Sequence, residues 1–478
     1  MKLKGIISEN TFKPRHMASS ARRTALITLK SSYANILLLV VPFALASNNV
    51  GWPSLAVFIL NFVAIVPLAA CLCFATEELA EHLGDNLGAF LNASFGNSVE
   101  LITAIIALKQ GQIRVVQTSM LGSVISNSLL VLGCCFVAGG YNRFKQTFNI
   151  TAAQTLSSLL ILSTSSLMIP AALHSSIASS LSKTETDTIT PENPGSRILK
   201  LSRGTAIILL LMYLFYLFFQ MKTHKTLFEA EVTPADVLEQ NQITEKVESE
   251  QIVQEKASTI EDSREESNTS TNDGVFQGAK ASVTNTSELQ KSGTGLHSKI
   301  LKSRKGTLFS VAANLEEEHL SILASLVVLV IITVLVAFCA DYMVGSIDDL
   351  VETSGMTKTF VGLVLLPISG NAAEHVTSVV VATKNKMDLA IGVAIGSSTQ
   401  IALFVTPLLV LIGWWIGESM SLLFTTFECC TMFITIFITN SMIADGESNY
   451  LEGVMLISAY VIIAVAFFFF PDSATGLS

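Results

Sequence analysis

Apolar residues in this chain gather into runs of about twenty, the length a helix needs to cross the hydrocarbon core of a bilayer. Such runs fall at 33–49, 52–76, 86–108, 115–138, 150–173 and 203–221, and again at 319–343, 357–383, 388–414, 419–443 and 450–470. The pattern predicts an all-α polytopic membrane protein with eleven transmembrane helices. Between the two sets, over 222–318, the chain turns to Glu, Ser, Thr, Asn, Gln and Lys with almost no aromatic residues. A segment of that composition cannot bury enough apolar surface to offset its ordering entropy, so a largely disordered acidic loop is expected there.

A second pattern runs through the apolar runs. Gly96-Asn97-Ser98-Val99-Glu100 recurs as Gly370-Asn371-Ala372-Ala373-Glu374, an offset of 370 − 96 = 274. The same offset relates Glu78 to Glu352, Gly88 to Gly362, Gly122-Ser123 to Gly396-Ser397, and Gln154 to Glu428. The chain therefore reads as two five-helix repeats, 52–221 and 319–470, with the run 33–49 as an extra first helix. Because five crossings are an odd number, and the central loop returns to the side of the N-terminus, the repeats enter the membrane from opposite faces. That is the inverted-repeat plan of many secondary transporters, whose sites lie near the midplane where the repeats meet.

Charge sets the orientation. The tail 1–32 carries Lys2, Lys4, Lys13, Arg15, Arg22, Arg23 and Lys30, which assigns it to the cytosol by the positive-inside rule. Arg143, Lys145, Lys384 and Lys386 fall on the same side, whereas Lys109, Arg114, Lys200 and Arg203 fall opposite. The loop 222–318 is then cytosolic and the short tail 471–478 lies across the membrane.

Composition agrees with the membrane reading: 50% of the residues are hydrophobic and 14% charged, against about 25% charged in soluble domains. The net charge of −9 owes much to the central loop, and no basic patch suggests nucleic-acid binding. The seven cysteines lie in apolar runs and neighbouring pairs point to different helix faces, so they read as structural thiols rather than a metal site. The first run lacks a small-residue cleavage signature and reads as a retained helix.

The candidate chemistry sits on the repeated motif. An ionised carboxylate at the bilayer centre costs about 2.5–3.5 kcal/mol even on lenient insertion scales, so Glu100 and Glu374 need a reason to be there. Asn97 shares a helix face with Glu100, as Asn371 does with Glu374. Gly96 and Gly370 let a neighbouring helix approach and the backbone loosen. The following spans add Ser123, Ser126 and Asn127 on one side, and Ser397, Ser398 and Gln400 on the other. Carboxylates, amide oxygens, hydroxyls and carbonyls are the ligands of a hard divalent cation such as calcium. No His or Cys spacing suggests zinc or copper, and no nucleophile arrangement suggests an enzyme. Two facing carboxylates in a low dielectric do not both stay ionised when the site is empty, so protons and cation compete for the same oxygens. That competition is the minimum an antiporter needs, with the cation and protons as transported ions and no cofactor.

Other acidic positions read less sharply. Glu78 and Glu352, at span ends, are either interfacial acids or mouths that gather cations and pass protons. Glu428, within an apolar run, suggests a proton relay or accessory site. His375 is a hydrogen-bonded neighbour of Glu374 or a proton-handling group. Glu316, Glu317 and Glu318 read as a solvated helix start or a cytosolic calcium-sensing patch.

At Gly96–Ile102, Gly370–His375, Gly122–Asn127 and Gly396–Ile401 the chain resembles the two signature repeats of the cation/proton exchanger family, and the similarity covers about 33 to 470. The resemblance implies an eleven-span, one-plus-five-plus-five plan and, as in fungal and plant members, vacuolar calcium/proton antiport. It implies Glu100 and Glu374 as carriers, with Asn97, Asn371, Ser123, Ser397 and Gln400 as neighbouring ligands. It also implies a membrane enclosing an acid lumen. The central loop looks longer than is typical of the family. Membrane lipid is the expected surround. A sodium-coupled exchanger or manganese as cargo are the nearest alternatives, and self-association is left open.

Overall fold

A computed structural model of the protein describes residues 23–29, 31–181, 194–224 and 320–472. The contacts divide the chain into one unit of Met1–Glu229 with His319–Ser478 and a second of Ala230–Glu318. The second lies outside the described residues, as do Glu316, Glu317, Glu318 and most of the N-terminal basic tail.

A 3-10 turn, Tyr33–Val40, leads into α1 (Val41–Val50). Then follow α2 (Ser54–Leu83), α3 (Asp85–Phe95), α4 (Ser98–Lys109) and α5 (Ile113–Ile125). A π-helical segment, Ser126–Val131, continues α5 into α6 (Leu132–Gly140), followed by α7 (Ile150–Leu181) and α8 (Pro194–Phe218). The second half has α9 (Ile322–Gly345), α10 (Ile347–Ser354) and the single turn α11 (Lys358–Phe360). A π segment, Val361–Leu365, joins α11 to α12 (Leu366–Gly370), and α13 (Ala372–Thr383) follows. After it come α14 (Met387–Gln400), a π segment Ile401–Val405, α15 (Thr406–Ile416), α16 (Thr426–Met442) and α17 (Tyr450–Phe468). Two short strands, Gln146–Thr147 and Glu447–Ser448, pair antiparallel.

Among the described residues, seven helices are long and apolar enough to cross a membrane. They are Ser54–Leu83, Ile113–Gly140, Ile150–His174, Gly195–Thr223, Ile322–Ser354, Met387–Ile416 and Tyr450–Phe468. Two expected spans are broken. The run 86–108 is α3 and α4, separated at Gly96-Asn97; the run 357–383 bends by 56° between Gly370 and Ala372. A third, 419–443, is shortened, because Thr425 and Glu428 form a reciprocal capping box that starts α16 at Thr426. Such a box satisfies two backbone donors that would otherwise be orphaned, so the helix begins where it can be capped.

The repeat in the sequence is a repeat in the backbone. α4 and α13 begin and end 274 residues apart (372 − 98 and 383 − 109), and α5 and α14 begin 274 apart (387 − 113). The turns preceding α5 and α14 each contain a positive-φ residue at corresponding places, Gly111 and Asn385. The halves interlock: α2 packs along α9, α5 crosses the Val361–Leu365 segment, and α6 packs on α17. The helices Ile113–Gly140 and Met387–Ile416 are the most enclosed, with 83% and 72% of their most apolar stretch buried, against 28% for Ile322–Ser354 and Tyr450–Phe468. The two helices that follow the acidic motifs therefore lie at the centre of the bundle.

Candidate cation site

Each acidic motif stands at the start of a short helix that begins inside the protein. Asn97 (φ −95°, ψ 30°) and Asn371 (φ −84°, ψ 6°) adopt the sparsely populated bridge conformation that ends one helix and opens the next. Glu100 and Glu374 fall in the first turns of α4 and α13. There the unpaired N–H groups and the positive end of the helix dipole favour negative charge, which offsets part of the cost of burial.

The structure brings the two halves together at these residues. Glu100 is 6% exposed and its side chain reaches across to Gly370, where a Cβ would lie 3.1–3.2 Å from its Cγ and carboxyl atoms. A side chain at 370 would press on the carboxyl group and require it to shift by a few tenths of an ångström. Glu100 and Glu374 lie within electrostatic range of one another. Glu374 Oε1 accepts from Ser397 Oγ at 2.6 Å, and its Oε2 accepts from Asn127 Nδ2 at 3.2 Å. Asn97 Nδ2 donates to Gln400 Oε1 at 3.0 Å, and Gly96 lies beside that same Gln400 oxygen. Each of the contacts from Asn127 to Glu374 and from Asn97 to Gln400 joins one half to the other.

Several oxygens here are buried without a hydrogen-bond partner: Asn97 Oδ1, Glu100 Oε1, Ser123 Oγ, Asn127 Oδ1 and Asn371 Oδ1. Buried polar atoms are nearly always satisfied, so a concentration of bare acceptors around two carboxylates is the chemistry of a cation's ligands. Among the described residues no group of three or more His, Cys, Asp or Glu side chains could hold a metal ion, which leaves this pair with its neutral oxygens.

The remaining sequence candidates are placed differently. Glu78 is buried, and its Oε2 accepts from the Leu320 N–H at 2.7 Å while His82 Nε2 meets the Leu320 carbonyl at 2.5 Å. It ties α2 to the entry of α9. Its repeat partner Glu352 is exposed on α10. His375 Nδ1 contacts the Asn371 carbonyl at 2.8 Å, a bond within its own helix start. Glu428 is fully buried, but as a cap of α16 paired with Arg114, rather than lying mid-helix as its apolar surroundings suggested.

Sequence reasoning passed over Glu77. This exposed residue of α2 accepts from Cys73 Sγ at 3.4 Å, and Cys73 lies within electrostatic range of Glu374. The repeat drew attention to Glu78 because Glu352 answers it; Glu77 is answered by Val351 and had no such signal.

Membrane-length helices broken around a pair of buried acids are the architecture of a helical membrane transporter. Residues 53–222 and 324–469 match the sodium/calcium exchanger protein family, and the chain belongs to it. It is similar to the vacuolar calcium ion transporter of Schizosaccharomyces pombe, with 41% identity over 93% of this chain and 86% of that one. It is also similar to the Ca(2+)/H(+) antiporter of Synechocystis sp., with 36% identity over 93% of this chain and 99% of that one. The structure of native YfkE matches with a TM-score of 0.63 and 28% identity, covering 91% of this chain and all of that one.

Proposed function

We propose that the protein is a secondary antiporter that moves calcium out of the cytosol in exchange for protons from an acid lumen, with Glu100 and Glu374 as the shared carrier of both. The observation that carries this reading is the meeting of the two acids from separate halves of the chain, surrounded by bare oxygens and by Ser397, Asn127, Asn97 and Gln400. A calcium ion neutralises both carboxylates and is held by the neutral oxygens around them; protons replace it on the same atoms. The empty, doubly charged site is the state that crosses poorly. The magnitudes suffice: at about 1.36 kcal/mol per proton per pH unit, two protons moving through about two units supply about 5.4 kcal/mol, roughly a 10⁴-fold cation gradient.

The names of the relatives support calcium, protons and a vacuolar membrane. The eleven-span plan with inverted repeats fits the backbone repeat, the broken helices at Gly96 and Gly370 counting as one span each. The N-terminus is cytosolic in this reading, and Glu78, Glu352 and His375 serve access or proton transfer. Asn371 and Ser123 complete the ligand set. Glu316, Glu317 and Glu318 remain the candidate calcium-sensing patch. A sodium-coupled exchanger is disfavoured because, among the described residues, no third acid joins the pair in a group that could hold a metal ion. Calcium uptake into vesicles of purified protein under an imposed pH step, without sodium, tests the proposal directly. Uptake driven by the step supports it; uptake that needs a sodium gradient, or ignores protons as a channel would, contradicts it.

A further inference from the structure

The two helices that carry the neutral ligands are each anchored, near their first turn, to the other half of the molecule. Arg114, in the first turn of α5, donates through Nη2 to Glu428 Oε1 in the first turn of α16. Its repeat counterpart is 114 + 274 = 388, Asp388 in the first turn of α14, whose Oδ1 accepts from the Asn149 N–H at 2.5 Å. Asn149 in turn caps α7, its Oδ1 accepting from the Ala152 N–H at 3.1 Å, just as Thr425 caps α16. In each case a charged side chain on the ligand-bearing helix meets the capped start of a long helix of the opposite repeat, the one that follows its own counterpart there. The signs are opposite, Arg in one half and Asp in the other. A second contact, from Gln117 Nε2 to the Ser421 carbonyl at 2.9 Å, holds α5 to the same region as Arg114 does.

Both helices then run unbroken to the site. α5 continues from Arg114 into the π segment that bears Asn127, thirteen residues on, and α14 continues from Asp388 to Ser397 and Gln400. At about 1.5 Å per residue, Arg114 lies roughly 20 Å from Asn127 along the axis, so a tilt of about 3° moves the ligand by about 1 Å. A ligand set that is loose by that much holds its ion less tightly.

We propose that Arg114 and Asp388 are positioning residues, a pair of opposite-sign clamps that set where Asn127, Ser397 and Gln400 stand relative to Glu374. Stability alone does not explain the ionic clamp. Glu428 is completely buried, and Arg114 Nε and Nη1 are buried without partners, so the pair is costly to desolvate and its return is geometric. With Oε1 on Arg114 and Oε2 on the Thr425 N–H, both Glu428 oxygens are engaged, which suits an anchor better than a relay.

The inference rests on the cation site proposed above, and the test separates the two. Initial calcium uptake by the full chain in vesicles is measured against calcium concentration, under a fixed pH step and at several pH values. R114Q and D388A are each expected to raise the calcium KM about tenfold, with the maximal rate and the shape of the pH profile within about twofold of the parent. D388N, whose amide oxygen still accepts from Asn149, is expected to stay close to the parent. The exchange R114E/E428R is expected to bring KM back to within about threefold. An unchanged KM in intact R114Q or D388A overturns the proposal, and so does a charge exchange that recovers nothing. A pH profile displaced at constant KM in E428Q overturns it in favour of a proton relay at Glu428. If R114Q does not accumulate in the membrane, D388A against D388N decides: equal KM values overturn the proposal. Parent vesicles that take up no calcium under the pH step would remove the functional reading itself.

Discussion

Glu100→Gln and Glu374→Gln are each expected to reduce proton-driven calcium uptake to the level of empty vesicles while leaving the protein folded and in the membrane. The substitution keeps the side chain's shape and removes its charge. A carboxylate about 4 Å from a dication, at an effective dielectric of about 20, contributes about 8 kcal/mol. If half of that is offset because an amide is easier to desolvate, the remaining 4 kcal/mol or so is still roughly a thousandfold in affinity. Folding is spared because an uncharged amide is cheaper to bury than an ionised acid. The check is uptake per molecule of correctly inserted protein, with size-exclusion behaviour as the control for folding. Substantial uptake by either variant contradicts the assignment of that residue.

The largest expected effect on folding lies at Gly122. A Cβ added there would overlap the Leu363 carbonyl, and one added at Gly362 would overlap Thr118 Oγ1, so α5 and the Val361–Leu365 segment cross in backbone contact. Small residues permit such crossings between membrane helices. G122A forces the segments apart and is expected to cost more than the roughly 1–3 kcal/mol usual for overpacking, because a carbonyl on a helix cannot rotate away as a side chain can. The molecule supplies its own control. Gly396 is the repeat counterpart of Gly122, yet nothing lies within 4 Å of a Cβ built on it. G396A should therefore melt in detergent near the parent temperature, whereas G122A should melt well below it or fail to accumulate. Equal melting of the two would show that the close crossing is not what holds these segments.

These contrasts show what a repeat in sequence reveals and what it hides. The offset of 274 located both carboxylates and their asparagines to the residue, but hydropathy ran one span through each motif and missed the backbone breaks before Ser98 and Ala372. The offset also suggested a symmetry that the side chains do not keep. Glu374 has donors in Ser397 and Asn127, while Glu100 rests against Gly370 and its Oε1 has no partner. The residue that corresponds to Asn127 is Ile401, which has no side-chain donor, so this asymmetry was written in the sequence but carried no signal by itself. Glu428 shows the other limit. Hydropathy ran a span straight through 419–443, since a capping box and an ion pair to a residue 314 positions away leave no trace in local apolarity. Glu78 and Glu352 looked equivalent and are not, one buried against the start of α9 and the other exposed.

The central claim is that one pocket takes either calcium or protons. It is tested most directly by counting protons released when calcium binds to purified protein, using calorimetry in buffers of different ionisation enthalpy across a range of pH. The account predicts one calcium bound at the paired acids with protons released, an affinity that weakens as the solution is acidified, and loss of both signals in E100Q and E374Q. Calcium binding that releases no protons and keeps the same affinity at every pH would contradict it.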